Sequence, residues 1–279
     1  VATFYPLAYF AREIGGDYVT VTQLVPDNTE LHAWQPSTAD IVAANEADIL
    51  LYNGAGLDYW FVSDVLPSID QTQKTIVETT IGVTLLERSQ NEQDNHDNEH
   101  DESLYDPHTW ISPFIAEKQA ETIYNAFIEK DPSHYEYYTQ RWTSLQQQFI
   151  AMDNAYMNEL STKQQELIFV THEAYGYLAY RYGFQQQGII GLSADEQPST
   201  ATIAELVDNM INHDIYVIYV DPIYADDYAQ ALKSTLEAQT GRTVQVLTLY
   251  LLAGKINDMD YFDQQSQNLE HLKIGLEAT

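Results

Sequence analysis

Apolar positions along this chain switch between a period of two and a period near 3.6, and the switches alternate. Val1–Tyr5 predicts a strand, and Pro6 then opens a helix whose apolar face is Leu7, Phe10, Ala11 and Ile14, closed by Gly15-Gly16. Tyr18–Val25 alternates through Val19, Val21 and Leu24 and predicts a second strand. A loop over 26–34 leads to a helix opened by Pro36-Ser37, then a short buried strand at Ile49–Tyr52. Asn53-Gly54-Ala55-Gly56 reads as a plain turn, because no Lys-Ser/Thr follows to make it a phosphate loop. A helix over Tyr59–Leu66 and a strand over Thr75–Val77 continue the rhythm.

The second half repeats it. Strands are predicted at Glu166–Thr171, Phe184–Ile190, Ile215–Val220 and Thr243–Leu249. Helices are predicted from Tyr175 to Tyr182 and over Thr200–Asn212, Tyr224–Gln239 and Tyr261–Leu276, with a loop at Ala194–Pro198. Between the halves lie a helix over Phe114–Glu129 and a longer one capped by Asp131-Pro132. The longer one carries Tyr135, Tyr138, Trp142, Leu145, Phe149, Met152 and Tyr156 at alternating spacings of three and four. To Leu160 this stripe would run about 40 Å, longer than one lobe needs. The expectation is an α/β protein of two doubly wound lobes joined by one long rigid helix, its binding site in the cleft between them. The division is 1–131 for an N-terminal lobe, 132–160 for the connecting helix and 161–279 for a C-terminal lobe.

Composition narrows the function. With 279 residues, 44% hydrophobic, the chain can bury a substantial core. No apolar run reaches the ~18 residues that span a bilayer. No charged leader precedes Val1, so any signal segment is expected to lie outside the chain. There is no cysteine, which excludes disulfides, thiolate metal sites and cysteine nucleophiles. Forty-two acids against twelve Lys plus Arg give a net charge of −30. Nucleic acid and anionic membrane surfaces are therefore poor partners, and cations are attracted. A solvated acidic surface accounts for most of this charge. Residues 89–104 concentrate acids and amides around His96 and His100 and cannot bury a core. They form either an acidic insertion or a weak metal-collecting arm.

Three histidines sit just after strands or at a loop-to-helix junction: His32, His108 and His172. His108 lies between two prolines, in Asp106-Pro107-His108-Thr109-Trp110-Ile111-Ser112-Pro113, where it can also be read as incidental to a capped helix start. His134, His213 and His271 fall within or at the ends of helices and read as surface residues. Two of the first three come from one lobe and one from the other, so they would converge on the cleft. Three neutral imidazoles favour Zn²⁺ over Mn²⁺ or Mg²⁺, which prefer oxygen.

These blocks resemble the metal-binding solute receptors of bacterial ABC importers, in the zinc-uptake branch of the ZnuA and AdcA type. Similarity runs over nearly the whole chain: Val1 to Leu7, the loop from Pro26 to Pro36 around His32, and Asp106-Pro107-His108-Thr109-Trp110 as the family's DPHxW signature. It continues through Val170 to Tyr177 around His172, Gly191 to Ser199, and Val217 to Pro222. The resemblance implies His32, His108 and His172 as metal ligands, and an extracytoplasmic receptor that gives Zn²⁺ to a cognate ABC permease. It further implies a monomer, tethered by a lipid or free, and no enzyme. A histidine at 172, where manganese receptors carry glutamate, points to zinc, as does the acidic insertion. The chain departs from the pattern at Ala253, which stands where many relatives carry a fourth, acidic ligand. Water, Glu30, Asp221 or a carboxylate of residues 89–104 are left to fill that position. A manganese receptor, a metal-dependent adhesin and a His₃ zinc hydrolase remain as alternatives.

Overall fold

The computed structural model describes residues 1–32, 34–87, 104–190 and 199–279. It is a mixed α/β protein with parallel sheets. The chain divides into two compact units, Val1–Asp153 with Leu252–Tyr261, and Asn154–Leu251 with Phe262–Thr279.

In the first unit the helices are α1 (Tyr5–Gly15), α2 (Thr38–Glu46), α3 (Pro113–Lys130) and most of α4 (Tyr135–Glu159). Strands β1 (Ile49–Tyr52) and β2 (Thr75–Glu78) pair in parallel, Ile49 opposite Thr75. The first strand expected from the sequence is cut short. Phe4 is already the extended N-cap of α1, and Tyr5 with Pro6 opens the helix, where proline's fixed φ suits the first turn. Residues 1–3 nevertheless pair on both flanks: Leu24 N–H donates to Ala2 O at 3.0 Å, and Leu51 N–H to Val1 O at 2.8 Å. The parallel order is thus 22–25, 1–3, β1, β2. Of the strand expected over Tyr18–Val25 only its end pairs, because a 3₁₀ turn at Gly16–Tyr18 uses up its start. The helix expected over Tyr59–Leu66 forms, but its core, Phe61–Val65, is wound as a π-turn and passes into a 3₁₀ turn at Leu66–Ser68.

Elsewhere local chemistry sets the boundaries. Ser37 and Asp40 form a reciprocal capping box on α2, each side chain accepting the other's backbone N–H. Aromatic side chains fill this unit's core. Phe10 meets Phe149 edge-on at 5.3 Å and Tyr261 at 5.0 Å, and Phe4 meets Trp110 at 4.8 Å. Tyr138, Trp142, Leu145 and Phe149 of the α4 stripe are buried, whereas Tyr135, at its first turn, is exposed.

The second unit holds β3 (Leu167–His172), α5 (Gly176–Tyr182), β4 (Gln185–Ile190), α6 (Thr200–Asn212), β5 (Val217–Val220), α7 (Asp227–Thr240), β6 (Gln245–Thr248) and nearly all of α8 (Tyr261–Gly275). Its four strands are parallel in the order β4-β3-β5-β6. Phe169, Leu206, Met210, Ile218, Leu232 and Leu236 make one buried cluster joining the sheet to α6 and α7. Gly183 ends α5 at a left-handed φ of 72°, a conformation that strains any residue with a Cβ. The strand order reverses between β3 and β5. Ligands of open parallel sheets bind beyond such a reversal, and His172 closes β3 there.

One buried carboxylate pins the first unit's turn after β1. Asp58 accepts hydrogen bonds from Asn53 N–H (2.6 Å), Gly54 N–H (3.0 Å) and the Thr3 hydroxyl (2.8 Å). Burial outweighs these bonds and pushes its pKa up to about 6 from an ordinary 3.8. A raised folded-state value means that stability present below pH 3.8 is lost as pH rises through about 6, by up to about 3 kcal/mol. Asp58→Asn removes this ionisation. The stability deficit of the variant relative to the parent, from urea unfolding, should therefore shrink between pH 4 and pH 7. A deficit that stays constant with pH would contradict the assignment.

Candidate metal centre

His108 is the most firmly held of the three histidines singled out from the sequence. It is 2% exposed and is the N-cap of a 3₁₀ turn, Thr109–Ile111, that leads into α3. The Asp106 carboxylate faces it from two residues before. Asp106 Oδ1 accepts from the His108 backbone N–H and from ring Nδ1, both at 2.9 Å. A carboxylate only accepts, so Nδ1 carries the proton and Nε2 is the ring's donor atom toward a cation. This carboxylate–imidazole pairing is how metal-ligating histidines are oriented and made more basic.

His32 brings its ring to the same point. Its Nε2 stands 3.2 Å from Nε2 of His108, with the ring planes at 62°. Two nitrogens bound to one tetrahedral zinc at 2.0–2.1 Å stand about 3.3 Å apart. The separation therefore matches that of two ligands of one ion. His32 is half-buried, on a loop without regular structure that is tied down on its N-terminal side. Glu30 Oε1 accepts the His32 backbone N–H at 2.9 Å. Asn28 donates its backbone N–H to Ala253 O (3.2 Å) and its side chain to Lys255 O (2.8 Å). Gly254 lies so close that an added Cβ would be 2.6 Å from Asn28 N, so only glycine fits there. Ala253, at the place where an acid was expected, thus serves the His32 loop through its carbonyl.

His172 belongs to the second unit. It is the last residue of β3, is 2% exposed, and stands edge-on to the Tyr224 ring at 5.3 Å. Beside it, at the end of β5, Asp221 is 3% exposed. Its Oδ1 accepts Ile223 N–H at 2.7 Å and its Oδ2 accepts Leu251 N–H at 2.6 Å. Burial raises its pKa to about 7 against the pull of those two bonds. Asp221 therefore latches the end of β5 to the segment after β6.

The remaining histidines differ. His213 is exposed, His271 Nδ1 contacts Thr248 O at 2.6 Å, and His134 Nδ1 contacts Asp131 at 2.6 Å. His96 and His100, with the accessory-arm reading attached to them, lie outside the described residues. Sequence reasoning missed the polar cluster behind His108, formed by Asn53, Thr79, Thr109 and Gln119. Its signal was present: Gln119 falls on the apolar stripe of α3 with Ala116, Ala120 and Ile123, and all four are buried.

Fold and geometry together define a class: a two-unit α/β protein with parallel sheets and two imidazole nitrogens brought within 3.2 Å of each other. The comparisons carry this further. The chain belongs to the family described as zinc-uptake complex component A, periplasmic, whose model matches residues 1–275. The high-affinity zinc uptake system protein ZnuA of Bacillus subtilis is 34% identical over 281 residues, covering 99% of this chain and 86% of that protein. The zinc-binding lipoprotein AdcA of Streptococcus pneumoniae is 31% identical over 249 residues; the match covers 88% of this chain and 49% of AdcA, about half its length. The structure of Zn(II)-bound AdcA from that species superposes with a TM-score of 0.80 at 28% identity, covering 99% of this chain and 57% of that one. The laminin-binding protein Lmb of Streptococcus agalactiae, described as having adhesin and metal-transporting activity, superposes at 0.85 with 25% identity, covering 99% and 97%.

Asp106 fixes the proton on Nδ1 of His108, so ¹⁵N-resolved imidazole spectra of the metal-free protein should show that tautomer alone. Asp106→Ala should give a mixture of the two tautomers. An unchanged single tautomer in the variant would mean that another group sets it.

Proposed function

We propose that this chain is an extracytoplasmic receptor that captures Zn²⁺ and gives it to an ABC permease. One observation carries the proposal: the 3.2 Å separation of His32 Nε2 and His108 Nε2, close to the edge of a tetrahedral zinc site. Membership of a zinc-uptake family gives the ion its identity and the transport role its context. His172 is the third ligand on this reading, each of the three residues offering one ring nitrogen. Three nitrogen donors favour zinc over manganese. The fourth position falls to water, Glu30, Asp221 or a carboxylate of residues 89–104.

The receptor acts by binding and release, without catalysis, and works as a monomer. Among the described residues no helix is long and apolar enough to cross a membrane. Its place is outside the cytoplasmic membrane, on the cell surface or in the periplasm, with a lipid tether as its means of attachment. Residues 132–160 serve as the connecting helix between an N-terminal lobe, 1–131, and a C-terminal lobe, 161–279. An adhesin role is the second reading, supported by the likeness to Lmb; binding to laminin-coated surfaces by the zinc form, absent in the apo form, would favour it.

Native mass spectrometry with Zn²⁺ and Mn²⁺ in competition should show one tightly held zinc. Preferential retention of manganese would contradict the proposal. His108→Ala should weaken zinc binding by more than about 100-fold in a chelator competition, since losing even an outer-shell partner typically costs 10–100-fold. Ligation requires neutral imidazoles, so affinity should also fall as pH drops below about 6, toward about tenfold per pH unit for each proton displaced. Affinity unchanged between pH 7 and pH 5 would indicate a site of different composition.

A further inference from the structure

Behind His108 lies a buried side chain whose hydrogen-bonding capacity is completely used. Asn53, 0% exposed, directly follows β1. Its Nδ2 donates to Pro107 O at 3.0 Å and to Gly54 O at 3.1 Å. Its Oδ1 accepts from the Thr109 hydroxyl at 3.1 Å and from Gln119 Nε2 at 2.9 Å. An amide offers two donors and two lone pairs, and all four are engaged. Gln119, on α3, also donates to Thr79 Oγ1 at 2.9 Å; its Oε1 stands 3.2 Å from the Thr109 hydroxyl, a longer alternative acceptor for the one proton that this hydroxyl gives Asn53.

The contacts of this one amide straddle His108. Pro107 precedes the histidine and Thr109 follows it, and both are tied to Asn53, while Asp106 holds the ring itself. Four residues in succession, leading into the Thr109–Ile111 turn, are thereby fixed. The anchor is rooted in the sheet, because Asn53 N–H is held by Asp58 and Thr79 N–H donates to Tyr52 O at 2.9 Å. A metal ligand has to be held within about 0.5 Å of its working position, and helices or strands supply that better than loops. Here the loop borrows its rigidity from β1 and α3 through a single amide. Aspartate would not serve, because two carbonyl oxygens face the positions of its Nδ2 protons.

We propose that Asn53 is a positioning residue for the metal ion: it holds the Pro107 carbonyl before His108 and the Thr109 side chain after it, and so the direction of Nε2. This inference rests on the receptor reading given above. Deleting the amide leaves His108 and Asp106 in place but lets the segment between them and α3 relax. Metal affinity then falls and the geometry of coordination broadens.

The test uses three variants of the full chain, loaded with Zn²⁺ for affinity and with Co²⁺ for its ligand-field absorption spectrum. Asn53→Ala removes the hub. Thr109→Val removes one arm with little change of shape and serves if Asn53→Ala does not fold. Thr80→Val is the control: its hydroxyl donates to the main-chain O of Asn53 at 2.8 Å and does not touch the amide. Asn53→Ala and Thr109→Val should weaken zinc binding by about 10–100-fold and alter the Co²⁺ spectrum. Thr80→Val should lower the urea midpoint with affinity and spectrum unchanged. Affinity and spectrum equal to the parent's in Thr109→Val, or changes in Thr80→Val as large as in Thr109→Val, would overturn the proposal. Failure of the receptor reading looks different: His108→Ala would then bind zinc as tightly as the parent. If His108→Ala loses the metal while Thr109→Val keeps it intact, only the positioning role is lost.

Discussion

The Asp106–His108 pair is the contact on which the site depends. An imidazole in a loop has two nitrogens, two tautomers and a freely turning ring, and a metal can use only one arrangement. The carboxylate two residues earlier accepts both the backbone N–H and ring Nδ1–H, which removes all three freedoms at once. Nε2 is then the ring's donor atom toward a cation, 3.2 Å from Nε2 of His32. Both histidines are held there through main-chain contacts distant from the ring: Asn53 on the amide side of His108, and Glu30, Ala253 and Gly254 around His32.

The fold explains why each unit offers such residues at its strand ends. In parallel sheets the loops at the carboxyl ends of the strands collect at one edge, and a reversal of strand order opens space between them. In the second unit the reversal falls between β3, which ends at His172, and β5, which Asp221 directly follows. In the first unit residues 1–3 are flanked by 22–25 on one side and β1 on the other, and the chain leaves these segments toward the loops that carry His32 and Asn53. Buried carboxylates brace both ends, Asp58 in one unit and Asp221 in the other. Each is engaged mainly by backbone N–H groups and each has a raised pKa because burial wins. The acidic surface, by contrast, contributes little to position. Its effect is the general attraction of cations.

Much of this was legible in the sequence, for identifiable reasons. Helix periodicity and cap chemistry located α2, α3, α5 and α6 within a residue or two, because Ser37, Pro113, Gly183 and Ser199 act locally. Pairing was less legible. Val1–Tyr5 looks like a full strand, yet Pro6 converts its end into a helix start; Tyr18–Val25 alternates correctly but mostly lacks a neighbour to bond. His32 and His108 stand out in the sequence as candidates because they fall just after strands or at a loop-to-helix junction, and the structure brings their rings together. The hub was not, since Asn53-Gly54-Ala55-Gly56 has the composition of any turn, and the left-handed φ angles of Gly54, Ala55 and Gly56 agree with that reading. Only Gln119, polar on an apolar stripe, hinted that something buried required hydrogen bonds. Strand order and the Thr3 contact of Asp58 depend on contacts between distant segments, which no local pattern encodes.

The central claim is that imidazole nitrogens, fixed in advance, hold a zinc ion. X-ray absorption at the zinc edge of the loaded protein tests it most directly. The account predicts a first shell of nitrogen and oxygen at about 2.0–2.1 Å with the outer-shell scattering of three imidazole rings. A shell made of oxygen alone, or one carrying fewer than two imidazoles, would contradict it.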